Sequence, residues 1–163
     1  MEPAPPSPEV RAAAAQTLDR WLAEQGTDNP IVEEVEVQRS GAGDGGVDRW
    51  YVRLVGEEKD AIAVWFALRQ RTLHVETFLL PAPEDNHAEF YRNLLVRNVG
   101  FYGMAFAIGP EDGIFLVGQV EIANVTEDEL DRLLGSVYTY VEKCFRPALR
   151  IGFESRLSQA EPG

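Results

Sequence analysis

Trp50-Tyr51-Val52-Arg53-Leu54-Val55-Gly56-Glu57-Glu58-Lys59-Asp60-Ala61-Ile62-Ala63-Val64-Trp65-Phe66-Ala67-Leu68 reads as two strands and a turn. Trp50, Val52 and Leu54 alternate with Tyr51, Arg53 and Val55, the period of a half-buried strand. Gly56 to Asp60 is turn chemistry, after which Ile62, Val64, Phe66 and Leu68 resume the alternation on one face. A tight connection at Gln70 and Arg71 leads to another strand, with Leu73, Val75 and Leu79 on one side and His74, Glu76 and Phe78 on the other. Upstream, Val35 and Val37 alternate with Glu34, Glu36 and Gln38 and add a first strand. Strands joined by such short turns pair antiparallel.

Helices flank this run. Ser7 before Pro8 is an N-cap followed by a ring already set near helical φ. Val10, Ala14, Leu18, Trp21 and Leu22 then form a stripe, predicting a helix over 8–25 that Gly26 ends and Pro30 keeps from resuming. Downstream, Pro81-Ala82-Pro83 breaks the strand, and Asn86 with Glu89 has the spacing of a reciprocal capping box. The helix it opens carries Phe90, Tyr91, Leu94, Leu95, Val96 and Val99 around much of its circumference, which predicts more than one packing neighbour. Tyr102, Met104, Phe106 and Ile108 alternate up to the turn Gly109–Gly113, and a return strand spans Ile114–Ile122. Thr126 to Glu129 is a second capping box, and Leu130, Leu134, Val137, Val141 and Phe145 follow at helical spacing. Pro147 should stop or kink that helix, with a further turn or two over Leu149–Arg156. The order is α-β-β-β-β-α-β-β-α: an α+β fold, with a mostly antiparallel sheet of five or six strands packed by three helices.

At 163 residues the length fits one domain, expected over 8–157 between short tails at 1–7 and 158–163. Lys+Arg 15 against Asp+Glu 27 gives a net charge of −12, which repels phosphate backbones and anionic lipid. Neither nucleic acid nor membrane is an expected partner. The single cysteine excludes an internal disulfide framework. Met1 to Pro6 lacks the positive start and apolar run of a secretory signal, and the longest apolar stretch, Ala61–Leu68, falls far short of a membrane span. The expected location is the cytoplasm.

No catalytic motif withstands inspection. Gly41-Ala42-Gly43-Asp44-Gly45-Gly46 matches G-x-G-x-x-G, yet a strand follows it where a dinucleotide site needs a helix N-terminus. Cys144 sits beside the apolar stripe of the last helix and reads as a small buried hydrophobe. His74 and Glu76 share a strand face, but with Asp85, His87 and Glu89 they show no recognised metal spacing. Gly135-Ser136 lies inside a helix, away from any nucleophile elbow, and no phosphate loop occurs. The expectation is a protein without enzymatic activity, metal or cofactor.

What remains is a surface. Opposite Ile62, Val64, Phe66 and Leu68 lie Ala61, Ala63, Trp65 and Ala67, joined by Tyr51, Phe78, Phe115 and Val117 among Arg53, His74 and Glu76. A solvated sheet face should be polar, whereas this one has the composition of an interface core. Either a partner or second copy covers it, or the second helix or C-terminal segment does.

Arg71 to Glu76, the Leu80-Pro81-Ala82-Pro83-Glu84-Asp85-Asn86 turn and Tyr91 to Asn98 resemble the YbjN family. Tyr102 to Gly109, Phe115 to Gly118 and Thr126 to Asp131 continue the likeness. The family has been described as sensory-transduction regulators and resembles the type III secretion chaperone fold. The resemblance implies a small acidic protein, often homodimeric, that binds other polypeptides without chemistry, the strand around Val35 being an addition or a short edge. The expected binding or dimer surface is Tyr51, Arg53, Trp65, Phe78, Phe115 and Val117, with itself and a protein client as partners. The alternative is a small-ligand regulator whose polar site would draw on Arg71, His74, Glu76, Arg92 and Arg97.

Overall fold

The computed structural model describes residues 4–40 and 47–160. Its strands are β1 (Val32–Gln38), β2 (Arg49–Val55), β3 (Ala61–Leu68), β4 (Thr72–Leu80), β5 (Met104–Ile108) and β6 (Ile114–Glu121). Its α-helices are α1 (Pro8–Asp28), α2 (His87–Asn98), α3 (Glu127–Gly152) and α4 (Glu154–Ala160). The strands form one sheet in the order β1-β2-β3-β4-β6-β5, and every pairing is antiparallel. The first four strands are a meander. After α2 the chain lays down β5 at the far edge and returns with β6 between β4 and β5. The strand around Val35 is an edge strand, one of the two placements the family resemblance implied, with a bulge between Val32 and Glu34.

Helices α1 and α3 lie across one sheet face. Trp50, Val52, Leu54, Ile62, Val64, Phe66, Leu73 and Val75 are fully buried beneath them, with Leu18, Val137 and Val141 from the helices. Two tryptophans stitch the layers. Trp21 of α1 meets Phe66 edge-on at 5.4 Å and donates its indole N–H to Asp131 Oδ1 of α3 at 2.8 Å. Trp50 of β2 donates to Asp19 Oδ1 of α1 at 2.9 Å. Each buried ring thus keeps its one polar group satisfied.

Several element ends differ from expectation, each for a local reason. Gly26 does not end α1, which runs on to Asp28. A Cβ there would stand 3.0 Å from Val35 Cγ2, so the glycine lets the helix approach β1. The terminator is Asn29, whose side-chain oxygen accepts from Ile31 N at 3.2 Å. Asn86 forms no capping box: it is left-handed (φ 49°) and its amide donates to Ile151 O and Glu154 Oε2, both at 2.9 Å. Thr126 does cap α3 by accepting from Glu129 N at 3.1 Å, while the Glu129 carboxylate turns to Arg132. Pro147 lies inside α3 rather than stopping it, and the helix continues to Gly152. The C-terminal tail expected from residue 158 begins inside α4. The Gly41–Gly46 loop lies outside the described residues.

Candidate functional site

Strand alternation turns every second side chain away from the helices. The register aligns them into rows: Tyr51, Trp65, Glu76, Val117 and Ala105 stand side by side from β2 to β5. Phe78, Phe115 and Ala107 form a second row, and Ala67, His74 and Gln119 a third. Tyr51 and Trp65 pack at 4.7 Å between ring centroids, and Phe78 meets Phe115 edge-on at 5.5 Å. All six residues expected on this surface share it: Tyr51, Arg53, Trp65, Phe78, Phe115 and Val117. Among the described residues neither α2 nor α4 packs over it; α2 lies on α3 and β5, and α4 on α3. Tyr51, Trp65, Phe115 and Val117 are only partly buried, and Phe78 is exposed.

The hairpin after β5 shapes one end of this face. A Cβ on Gly109 would stand 2.6 Å from the Phe115 ring, and one on Gly113 would stand 3.2 Å from Phe78. Glycine at 109 therefore leaves the space the Phe115 ring fills. At the other side Arg53 is held by Glu33 Oε2 at 2.9 Å.

The five polar residues proposed for a ligand do not gather. His74 Nε2 lies 3.5 Å from Glu76 Oε2, its side chain 16% exposed. Burial first, and the Arg69 charge second, push the imidazole's pKa below its ordinary value, against a smaller pull from Glu76. The depression beside His74, about 540 Å³, is lined by Arg69, Met104, Val117 and Gln119 among others, and by neither Arg71 nor Glu76. Arg92 and Arg97 belong to α2 in the helical layer, where Arg97 Nη1 lies 3.6 Å from Cys144 Sγ. Cys144 is fully buried, and burial raises its thiol pKa. Of the residues weighed for a metal, Asp85 accepts from Ser155 N and Oγ at 3.0 and 2.7 Å, and His87 opens α2 away from the sheet residue His74.

Residue patterning missed a second apolar surface. Helix α2 has two neighbours, α3 and β5, as its wide apolar circumference predicted, yet only its Phe90 and Leu94 are buried. Leu95, Val96 and Val99 face outward, and a cavity of about 310 Å³ opens between Tyr91, Leu94, Leu95, Phe106, Ala107, Ile108 and Ile114. The signal was present in the apolar surplus of α2 beyond a single stripe. Beneath that surface Asn98 Oδ1 accepts from Phe106 N at 2.7 Å, and its amide donates to Phe106 O at 3.4 Å. Asn98 thus occupies both backbone groups that β5 turns outward there, as a seventh strand would. The opposite edge, β1, carries Glu33, Glu34 and Glu36 and a bulge. Both edges therefore carry devices that block strand addition.

A family model for YbjN, described as "Putative bacterial sensory transduction regulator", matches residues 14–150. Uncharacterized protein Rv0487 of Mycobacterium tuberculosis is 36% identical over 108 residues, covering 66% of this chain and 59% of that protein. Uncharacterized protein ML2442 of Mycobacterium leprae is 35% identical over 114 residues, covering 70% of this chain and 62% of its own length. The alignments thus span less than two thirds of these curated relatives. The fold is similar to the Yersinia pestis type III secretion chaperone SycH, solved in complex with a stable fragment of YscM2. That likeness has a TM-score of 0.50 at 15% identity, over 80% of this chain and 98% of SycH. Among the described residues no helix is long and apolar enough to cross a membrane.

Proposed function

The chain belongs to the YbjN family, and from that premise we propose that it is a non-enzymatic, chaperone-like adaptor of the cytoplasm. In this reading it works as a homodimer and holds a segment of another polypeptide on the open sheet face. The carrying observation is the pair of aromatic contacts there, Tyr51 on Trp65 and Phe78 on Phe115, with no described helix above them. Aromatic side chains supply large contact area at small entropic cost and dominate interface energetics. That the fold neighbour SycH was solved with a protein fragment supports a polypeptide as the occupant. Because both sheet edges are blocked, the client packs on side chains and does not join the ladder.

Intrinsic fluorescence tests this directly. Trp21 and Trp50 are 1% and 0% exposed, so a peptide on the open face changes the emission of Trp65. Titration with extended peptides rich in Leu, Ile and Phe should shift the wild-type spectrum saturably and leave Trp65→Phe unchanged. No saturable shift with any apolar peptide would refute the reading. The depression beside His74 favours a small ligand as a second reading. A compound binding only the native state must then raise the unfolding midpoint, and His74→Ala must abolish that rise.

A further inference from the structure

The open sheet face is not uniform in charge. From Ala61 to Val75 the chain carries no acid, although 27 of its 163 residues are Asp or Glu, and the same stretch holds Arg69, Arg71 and His74. The register sets Arg49, Ala67, His74 and Gln119 in one row across β2, β3, β4 and β6, with Arg69 in the hairpin just beyond. Arg11 of α1 fixes that hairpin by donating to the carbonyls of Leu68 and Arg69 at 2.8 and 2.5 Å. Among the described residues neither Arg49 nor Arg69 is ion-paired. Acids at this end are otherwise placed. Asp48 turns its carboxylate to Ser40 N at 2.9 Å and to Arg39 at 3.4 Å, Glu121 stands opposite Thr72, and Glu76 stands in the next row beside Trp65.

The depression of about 540 Å³ opens at this end, between Arg69, His74 and Gln119. Its wall includes Gly103 and Gly118, and a Cβ on Gly118 would stand 2.8 Å from Gly103 O, so bare backbone lines that side. Each of the three polar side chains in the wall can donate an N–H, and no carboxylate lines it. Gln119 accepts from Thr72 Oγ1 at 3.4 Å, which leaves its amide nitrogen as the donor. A guanidinium beside such donors suits a carboxylate, which its fork can hold by two parallel hydrogen bonds. Val117 belongs both to the depression and to the row of Tyr51 and Trp65, so a client on the rings reaches this wall without leaving the face. The net charge of −12 opposes an acidic client. At about 0.15 M salt, however, exposed charges more than about 8 Å apart are largely screened, whereas a contact pair is not.

We infer that the depression between Arg69, His74 and Gln119 receives a carboxylate of the client, from an acidic residue that borders the apolar segment seated on Tyr51, Trp65 and Val117. The inference rests on the client reading above and adds to it the client's charge and where that charge sits.

The test titrates the full chain with acetylated and amidated peptides rich in Leu, Ile and Phe, whose ends then carry no charge. Each has one Glu, or in its control one Gln, at the N-terminal or the C-terminal end. Trp65 emission reads binding at about 0.15 M salt. For at least one placement the Glu peptide should bind at least ~5-fold tighter than its Gln control. Arg69→Gln alters an exposed side chain and should reduce that preference below ~2-fold. Arg150→Gln removes the same charge from an exposed position of α3 and should keep it. Equal binding of Glu and Gln peptides, a preference that survives Arg69→Gln, or one lost equally in Arg150→Gln would overturn the inference and leave the client reading standing. Glutarate is the free-ligand arm. If it raises the melting midpoint of wild type but not of Arg69→Gln, while Glu peptides gain nothing, the depression serves a small carboxylate and the inference falls. If no peptide of either kind moves Trp65 emission, the client reading itself fails and takes this inference with it.

Discussion

Replacing Trp65 by alanine, beside the same change at Trp50, measures whether the open face is open in solution. Trp50 is fully buried under α1, with its indole N–H on Asp19. Truncating such a ring costs about 3–5 kcal/mol through lost burial and the cavity left behind. Trp65 is only partly buried, and its ring packs on Tyr51 at 4.7 Å. Losing that pair costs about 0.5–1.5 kcal/mol, and exchanging a strand-favouring residue for alanine costs up to about 1 kcal/mol more. The expected loss is thus about 2 kcal/mol, which lowers the midpoint by about 4–8 °C in a chain this size. Urea unfolding followed by far-ultraviolet circular dichroism at fixed protein concentration reads both variants without relying on tryptophan emission. The denaturant slope should stay at its wild-type value for Trp65→Ala. If Trp65→Ala costs as much as Trp50→Ala, the ring is sealed inside the molecule and the argument for a binding face fails.

Three further outcomes follow from particular contacts. Asp131→Ala leaves the buried indole N–H of Trp21 without its acceptor and should cost about 1–3 kcal/mol in urea unfolding, with α1 loosened from α3. His74 has a folded-state pKa below the ordinary 6.5, so between those two values the unfolded chain binds more protons than the folded one. Stability should therefore fall as pH drops below 6.5, and thermal melts of His74→Phe should lack that component of the slope. Pro147→Ala restores an N–H inside α3 and removes a ring that clashes with the preceding turn, so it should raise the melting midpoint by several degrees; an unchanged or lower midpoint would mean that α3 is shaped around the proline.

The sheet was legible because strand burial is written with period two, and the register follows from short turns. That arithmetic alone puts Tyr51, Trp65, Phe78, Phe115 and Val117 on one face, and His74 beside Glu76. Helix ends capped by their own neighbours, such as Ser7 and Thr126, were legible, whereas two positions answer to distant residues. Gly26 answers to Val35, and the Asn86 side chain to Ile151 and Glu154 rather than to its own helix. Helix α2 was legible in part: it has the two neighbours its apolar circumference predicted, α3 and β5, while its exposed Leu95, Val96 and Val99 were not foreseen. Periodicity reports which side chains are apolar, not which side has a neighbour, so an exposed ridge and a second packing surface look alike in sequence. The proposed grouping of Arg92 and Arg97 with His74 failed on the same ground, since nothing local ties α2 to a face of the sheet.

The blocked edges carry a consequence for how a client is held. In strand addition most affinity comes from main-chain hydrogen bonds, with side chains setting specificity. Here one edge offers acids and a bulge, and the other has the Phe106 backbone already bonded to Asn98. A client on the open face instead meets the rings of Tyr51, Trp65, Phe78 and Phe115 with Ala63 and Val117, beside the polar ends of Glu76 and His74, and finds no strand ladder to extend. Binding should then tolerate loss of the client's N–H groups. Methylating alternate backbone nitrogens of a binding peptide removes half its donors while keeping its side chains. The methylated peptide should bind within about threefold of the parent, because less than one net hydrogen bond is at stake. A collapse of binding on methylation would show that the client joins the ladder after all, with Asn98 displaced from Phe106. Asn98→Ala separates the two mechanisms further. It frees the backbone of Phe106, and so should strengthen a strand-adding client while leaving a face-bound one unchanged.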